Sequence, residues 1–113
     1  MLWDYFKHLK DQAPIYMDAM DEDANSIPQA YVVLEEKAYD EGFADGDGEN
    51  LLRRESYNIR IHSRTKAKAL ELLQTYRQVL IQNKLKFTQY GPTYDPSTGY
   101  YSILITGNQV YGV

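Results

Sequence analysis

Two histidines, a few serines and one acidic, glycine-rich stretch are the residues of this chain whose types and spacing could do chemistry. Asp45-x-Asp47-x-Glu49 has the alternating oxygens of a calcium loop. However, Asn50 stands where the turn glycine belongs, and Ser56 where a bidentate glutamate would close the shell. Gly46-Asp47-Gly48 makes no phosphate cradle, because Asp47 and Glu49 repel the ligand and a strand rather than a helix start follows. His8 and His62 lack a third ligand at motif spacing and read as surface or cap residues. Ser63 and Ser102 have no glycine-framed nucleophile turn, and no Gly-Lys-Ser or Gly-Lys-Thr sequence exists. General acid-base work needs a carboxylate or histidine in a low-polarity cleft, whereas the acidic residues gather in stretches that water would solvate. The residues therefore point to no catalytic group, no metal and no cofactor, and to a protein that is not an enzyme.

Composition narrows the classes further. A chain of 113 residues is the size of one domain and can bury roughly two thirds of its unfolded surface. The longest apolar run, Ala30 to Leu34, falls far short of the roughly 20 residues that span a bilayer. The opening Met1-Leu2-Trp3-Asp4-Tyr5-Phe6-Lys7 lacks the basic start and unbroken apolar stretch of a secretion signal, so cytosolic synthesis is expected. With no cysteine, stability must come from packing rather than disulfides. A net charge of −4 argues against gripping nucleic acid, an affinity that rests on Lys and Arg neutralising phosphates. Arg53, Arg54, Arg60, Arg64, Lys66 and Lys68 cluster in sequence, but a strand end followed by a helical turn spreads them over several faces. The 11 tyrosines, against three Phe and one Trp, fit either half-wet contact surfaces or ordinary strand positions.

The elements that position these residues centre on one unit. Residues 53–62 alternate, with Tyr57, Ile59 and Ile61 on one face and Ser56, Asn58, Arg60 and His62 on the other. From Ser63 the spacing becomes helical: Ala69, Leu72, Leu73, Tyr76, Val79 and Leu80 form a stripe, with Ser63 or Thr65 as cap and Asn83 as left-handed terminator. Upstream, Leu2, Trp3, Phe6, Leu9 and Ala13 predict a short helix over residues 2–12, ended by Pro14. Residues 14–28 read as loop and Gln29 to Tyr39 as a strand. Residues 40–50 read as a long acidic connection. Leu85 to Tyr90 alternates again, the chain turns at Gly91-Pro92, and Tyr94 to Tyr100 predicts a hairpin into a last strand, Tyr101 to Thr106, inside the sheet. Tyr57 and Tyr101 share the apolar alternation, so they read as core rather than as base-stacking platforms.

The expected fold is a single α+β domain over residues 1–113. It is a two-layer sandwich of a mainly antiparallel four-stranded sheet with two helices on one face, in the order α-β-β-α-β-β.

Taken whole, this layout resembles the tail-terminator and tail-completion proteins of long-tailed bacteriophages, also described as head-tail joining or minor capsid proteins. The carriers are the N-terminal helix, the Pro28-Gln29-Ala30-Tyr31-Val32-Val33-Leu34 strand, the long polar loop, the Arg54 to Ser63 strand running into the Leu70 to Leu80 helix, and the closing hairpin. The resemblance implies a structural virion protein of a phage or prophage, made in the host cytoplasm. It would form a ring, commonly a hexamer, at the tail end, between the tail tube protein and the head connector or stopper proteins. It implies no membrane and no specific nucleic-acid partner, although DNA would pass through the ring. The acidic loop with Asp45, Asp47 and Glu49 would then order against a neighbouring subunit, with Phe43, Leu51 and Leu52 as contacts. A small cytosolic regulatory or ligand-binding α+β domain without catalysis is the alternative, and it requires a concave pocket with converging polar groups.

Overall fold

The computed structural model describes the backbone of residues 2–18, 28–44 and 51–112, and the side chains of residues 3–18, 28–36 and 56–107. The fold is α+β. A short helix α1 (Leu2–Phe6) continues into a 3-10 turn (Lys7–Leu9), followed by strands β1 (Ile15–Met17), β2 (Ala30–Ala44) and β3 (Leu51–Ser63). Helix α2 (Lys66–Gln82) and strands β4 (Thr88–Asp95) and β5 (Tyr100–Gly112) complete the order.

The α2 stripe is buried as its spacing requires: Ala69, Leu72, Leu73, Tyr76, Val79 and Leu80 all face inward. Thr65 caps the helix, its side chain accepting from the Lys68 backbone N–H. Against this stripe the sheet sets matched rows. Val32, Ile61 and Ile103 are adjacent in register, as are Leu34, Ile59 and Ile105, and all six are buried. Phe6 and Leu9 join the same core, so the N-terminal segment and α2 cover one face of the sheet. Burying these aliphatic side chains contributes about 1.5–3 kcal/mol each.

The sheet has five strands, not four, in the order β1-β2-β3-β5-β4, and it is mixed: three neighbouring pairs are antiparallel and one is parallel. The added strand is β1, which runs parallel to β2. It falls in the segment read as loop, because three residues between Pro14 and an acidic run are too few to display alternation. Backbone bonds define it instead: Val32 donates to the Pro14 carbonyl (2.9 Å) and Asp18 to the Leu34 carbonyl (2.8 Å). The order is thus α-β-β-β-α-β-β. The expected interior position of the last strand is met, with β5 lying between β3 and β4.

Four further expectations are corrected. The first helix stops as α-helix at Phe6 rather than extending to residue 12. The 40–50 connection is shorter than expected, because β2 pairs with β3 as far as Ala44↔Leu51, with a register irregularity after Asp40. Charged residues do not forbid a ladder whose bonds are made by backbone. Gly91-Pro92 is no turn; it is an irregularity inside β4, between the pairs Tyr90↔Leu104 and Thr93↔Ser102. Gly91 has φ +96°, and a Cβ there would stand 2.6 Å from the Ser102 carbonyl oxygen. The left-handed residue after α2 is Lys84 (φ 58°), while Asn83 donates its side-chain amide to the Val79 carbonyl at 2.8 Å.

Candidate functional site

The face of the sheet away from the helices carries the residues that the alternation sends outward, and strand register brings them together. Tyr31 on β2 pairs with His62 on β3, and His62 with Ser102 on β5. Their rings meet accordingly: Tyr31 stacks on His62 with centroids 4.7 Å apart, and Tyr16 and Tyr100 approach Tyr31 edge-on at 6.1 and 5.6 Å. Tyr100 is anchored by donating its hydroxyl to the Pro28 carbonyl at 2.6 Å. The Arg64 guanidinium, at the exit of β3, lies 4.6 Å from the Tyr100 ring centre.

Together with Asp95, Ser97 and Thr98 of the β4–β5 turn, the residues Tyr31, His62, Arg64, Tyr100 and Ser102 line an open cavity of about 440 Å³. Burial, and secondarily the nearby Arg60 cation, holds the His62 imidazole below its ordinary pKa, favouring the neutral ring. His62 Nδ1 and Ser102 Oγ share a hydrogen bond at 2.9 Å, which orients that ring. Burial raises the Tyr31 hydroxyl, with Tyr100 and Tyr16 adding to the shift. Asp95 is held below the usual carboxylate range by the Ser97 hydroxyl and backbone N–H, which donate to its Oδ1 at 2.7 and 2.9 Å. The patch thus offers aromatic faces, a guanidinium and an ionised carboxylate, a set suited to contact with a planar or charged group. Ser102 sits on a regular strand pair rather than on a sharp nucleophile turn.

Of the basic residues noted in the sequence, Arg53 and Arg54 have side chains outside the described residues, and others part ways. Arg60 bonds Glu35, Lys68 lies 3.6 Å from Glu71, and Arg64 sits over Tyr100. Tyr57 is buried in the core. Its hydroxyl donates to the Lys86 carbonyl at 2.7 Å and is pushed up to about 12 by burial. Tyr101 is half-buried, packs against the core and tilts onto Tyr94. His8 is exposed within the 3-10 turn. Among the described residues no group of His, Asp and Glu is placed to hold a metal ion. Phe43, Leu51 and Leu52 lie on the β2–β3 ladder as backbone, and their side chains are outside the described residues, as are Asp45, Asp47 and Glu49 altogether. The outer patch escaped sequence reading because His62 and Ser102 meet only through the β3–β5 register, across 40 positions.

No protein-family model matches the chain, and no curated protein matches it. No helix among the described residues is long and apolar enough to cross a membrane.

Proposed function

We propose that this chain is a structural virion subunit of a bacteriophage or prophage. In this reading it is a tail-terminator or head-tail joining (minor capsid) component that forms a ring at the end of the tail tube, after synthesis in the host cytoplasm. The observation that carries the reading is the ladder of β2, β3 and β5, which outruns the helix layer. Its pairing continues from Tyr57, the last core position of β3 among the described residues, to Asp40↔Arg53 and Leu52↔Gly112. At about 3.3 Å per residue the six positions from Tyr57 to Leu51 add roughly 20 Å of strand beyond the core. The radius of gyration is 16.3 Å, against about 13 Å for a compact chain of this size. A two- or three-stranded arm that extends past the described core residues gains stability from contact with other surfaces, which suits assembly into a ring.

The expected partners are further copies, the tail tube protein and the head connector or stopper proteins. An acidic chain with net charge −4 also suits a conduit that DNA must cross without adhering, because negative walls repel phosphate. Negative-stain microscopy of the purified protein, alone and mixed with tail tubes of the same phage, tests the proposal. Rings and capped tube ends support it; tube ends indistinguishable from untreated tubes refute it.

One observation favours a second reading. The open cavity between Tyr31, His62, Arg64, Asp95 and Tyr100 has the converging polar groups that a ligand-binding domain requires. A light-scattering mass of one chain at all concentrations, with tube ends left bare, would favour that reading.

A further inference from the structure

We infer that neighbouring copies join by backbone pairing of β2 of one subunit with β5 of the next, side by side and parallel, an interface that rests on the ring reading above. The two ends of this sheet are treated differently. At the end nearer α2's start, the outer strands are guarded: β1 has only three residues, and β4 carries Pro92, which has no N–H, beside a break in register. At the other end, among the described residues, no outer strand continues, and on β2 only side-chain charge such as Lys37 remains. β1 accompanies β2 only as far as Leu34, and β4 accompanies β5 only as far as Thr106. Among the described residues, no strand lies beside Lys37–Ala44 of β2 or beside Asn108–Gly112 of β5 on the sides away from β3.

Unguarded edges of this length are templates for another strand. Asn108-Gln109-Val110-Tyr111-Gly112 carries no lysine, proline or charge that would discourage pairing. Both β2 and β5 run antiparallel to β3, so they point the same way, and they present open edges on opposite sides of one ladder. That is the geometry of a head-to-tail contact, which uses two different surfaces and closes into a ring when the rotation allows. The competing two-fold arrangement, β2 against β2, would bring Glu35, Glu36, Asp40 and Glu41 of one copy towards the same residues of another. Pairing β5 with β5 would leave every β2 edge open. The unlike pairing satisfies both edges and separates the acidic runs.

The chain has no cysteine, so introduced thiols report unambiguously. Cysteine is placed on β2 (Lys37→Cys, Ala38→Cys or Tyr39→Cys), on β5 (Asn108→Cys, Gln109→Cys or Val110→Cys), and on both in every combination. Each variant is oxidised on tail tubes and examined by microscopy and by non-reducing electrophoresis, with circular dichroism confirming the fold. The expected result is a ladder of covalent multiples, up to the full ring, from at least one doubly substituted variant, while every singly substituted parent stays monomeric. Covalent dimers from single-cysteine variants would overturn the inference in favour of two-fold pairing. Rings that form but never cross-link would overturn it while leaving the tube-end reading intact. Bare tube ends with all variants would refute both.

Discussion

Phe6 and Tyr76 stack with ring centroids 4.8 Å apart and planes inclined by 18°, the contact through which the N-terminal segment is held on α2. Both residues are essentially inaccessible to solvent, so this pair closes the core over the sheet. Replacing Phe6 by Ala leaves a cavity between α1 and α2. The expected loss is about 3–5 kcal/mol in urea unfolding, as for other buried aromatic truncations. A loss under about 1 kcal/mol would show that α1 packs elsewhere.

The same pair holds a liability. The Tyr76 hydroxyl is buried and has no hydrogen-bond partner among the described residues, and burial raises its pKa strongly. Tyr76→Phe keeps the ring and removes the unsatisfied polar atom. Stability is expected to stay level or rise by about 1 kcal/mol, measured by thermal and urea unfolding. A drop larger than that would mean the hydroxyl has a partner.

At the far edge of the helix layer, Gly107 lies against Tyr57 and Lys86. A Cβ at Gly107 would collide with the Tyr57 hydroxyl and the Lys86 carbonyl oxygen, atoms bonded to each other at 2.7 Å. A backbone carbonyl yields little, so Gly107→Ala is expected to destabilise by about 1–3 kcal/mol. Unfolding midpoints equal to the parent would contradict this placement.

Acid should weaken the fold through His62. Burial and Arg60 hold its folded-state pKa below the ordinary 6.5, so the unfolded chain takes up the proton first as pH falls. Stability is unaffected by this group above that value and declines as pH drops below it. Tyr31, Arg64 and Asp95 also border the cavity beside His62, and Glu35 bonds Arg60; the Asp95 carboxyl is held below the usual carboxylate range by its Ser97 hydrogen bonds. His62→Gln should therefore flatten the stability slope below about pH 6.5. Parallel slopes for parent and variant would exclude His62 as the source.

Much of the body is legible in the residues because its signals are local. The Tyr57-Ile59-Ile61 alternation and the Ala69 to Leu80 stripe each repeat often enough to specify a strand and a helix, and the structure buries those residues. What stayed hidden depends on partners distant in sequence. β1 is a strand only because Val32 and Leu34 offer it backbone bonds, and the Tyr31-His62-Ser102 cluster exists only once three strands are in register. Gly91-Pro92 carries turn chemistry, yet pairing on both sides keeps it inside β4. Lys84 takes the left-handed position that Asn83 suggested by type, because the Asn83 side chain already bonds Val79.

In the role proposed above, this chain acts by stopping a growing tube. Tube protein of the same phage can be polymerised with and without it, and tube lengths measured by electron microscopy. Substoichiometric amounts are expected to halt elongation, leaving short tubes with a ring at one end. Unchanged tube lengths with no density at the ends, from protein shown to be folded, would contradict it.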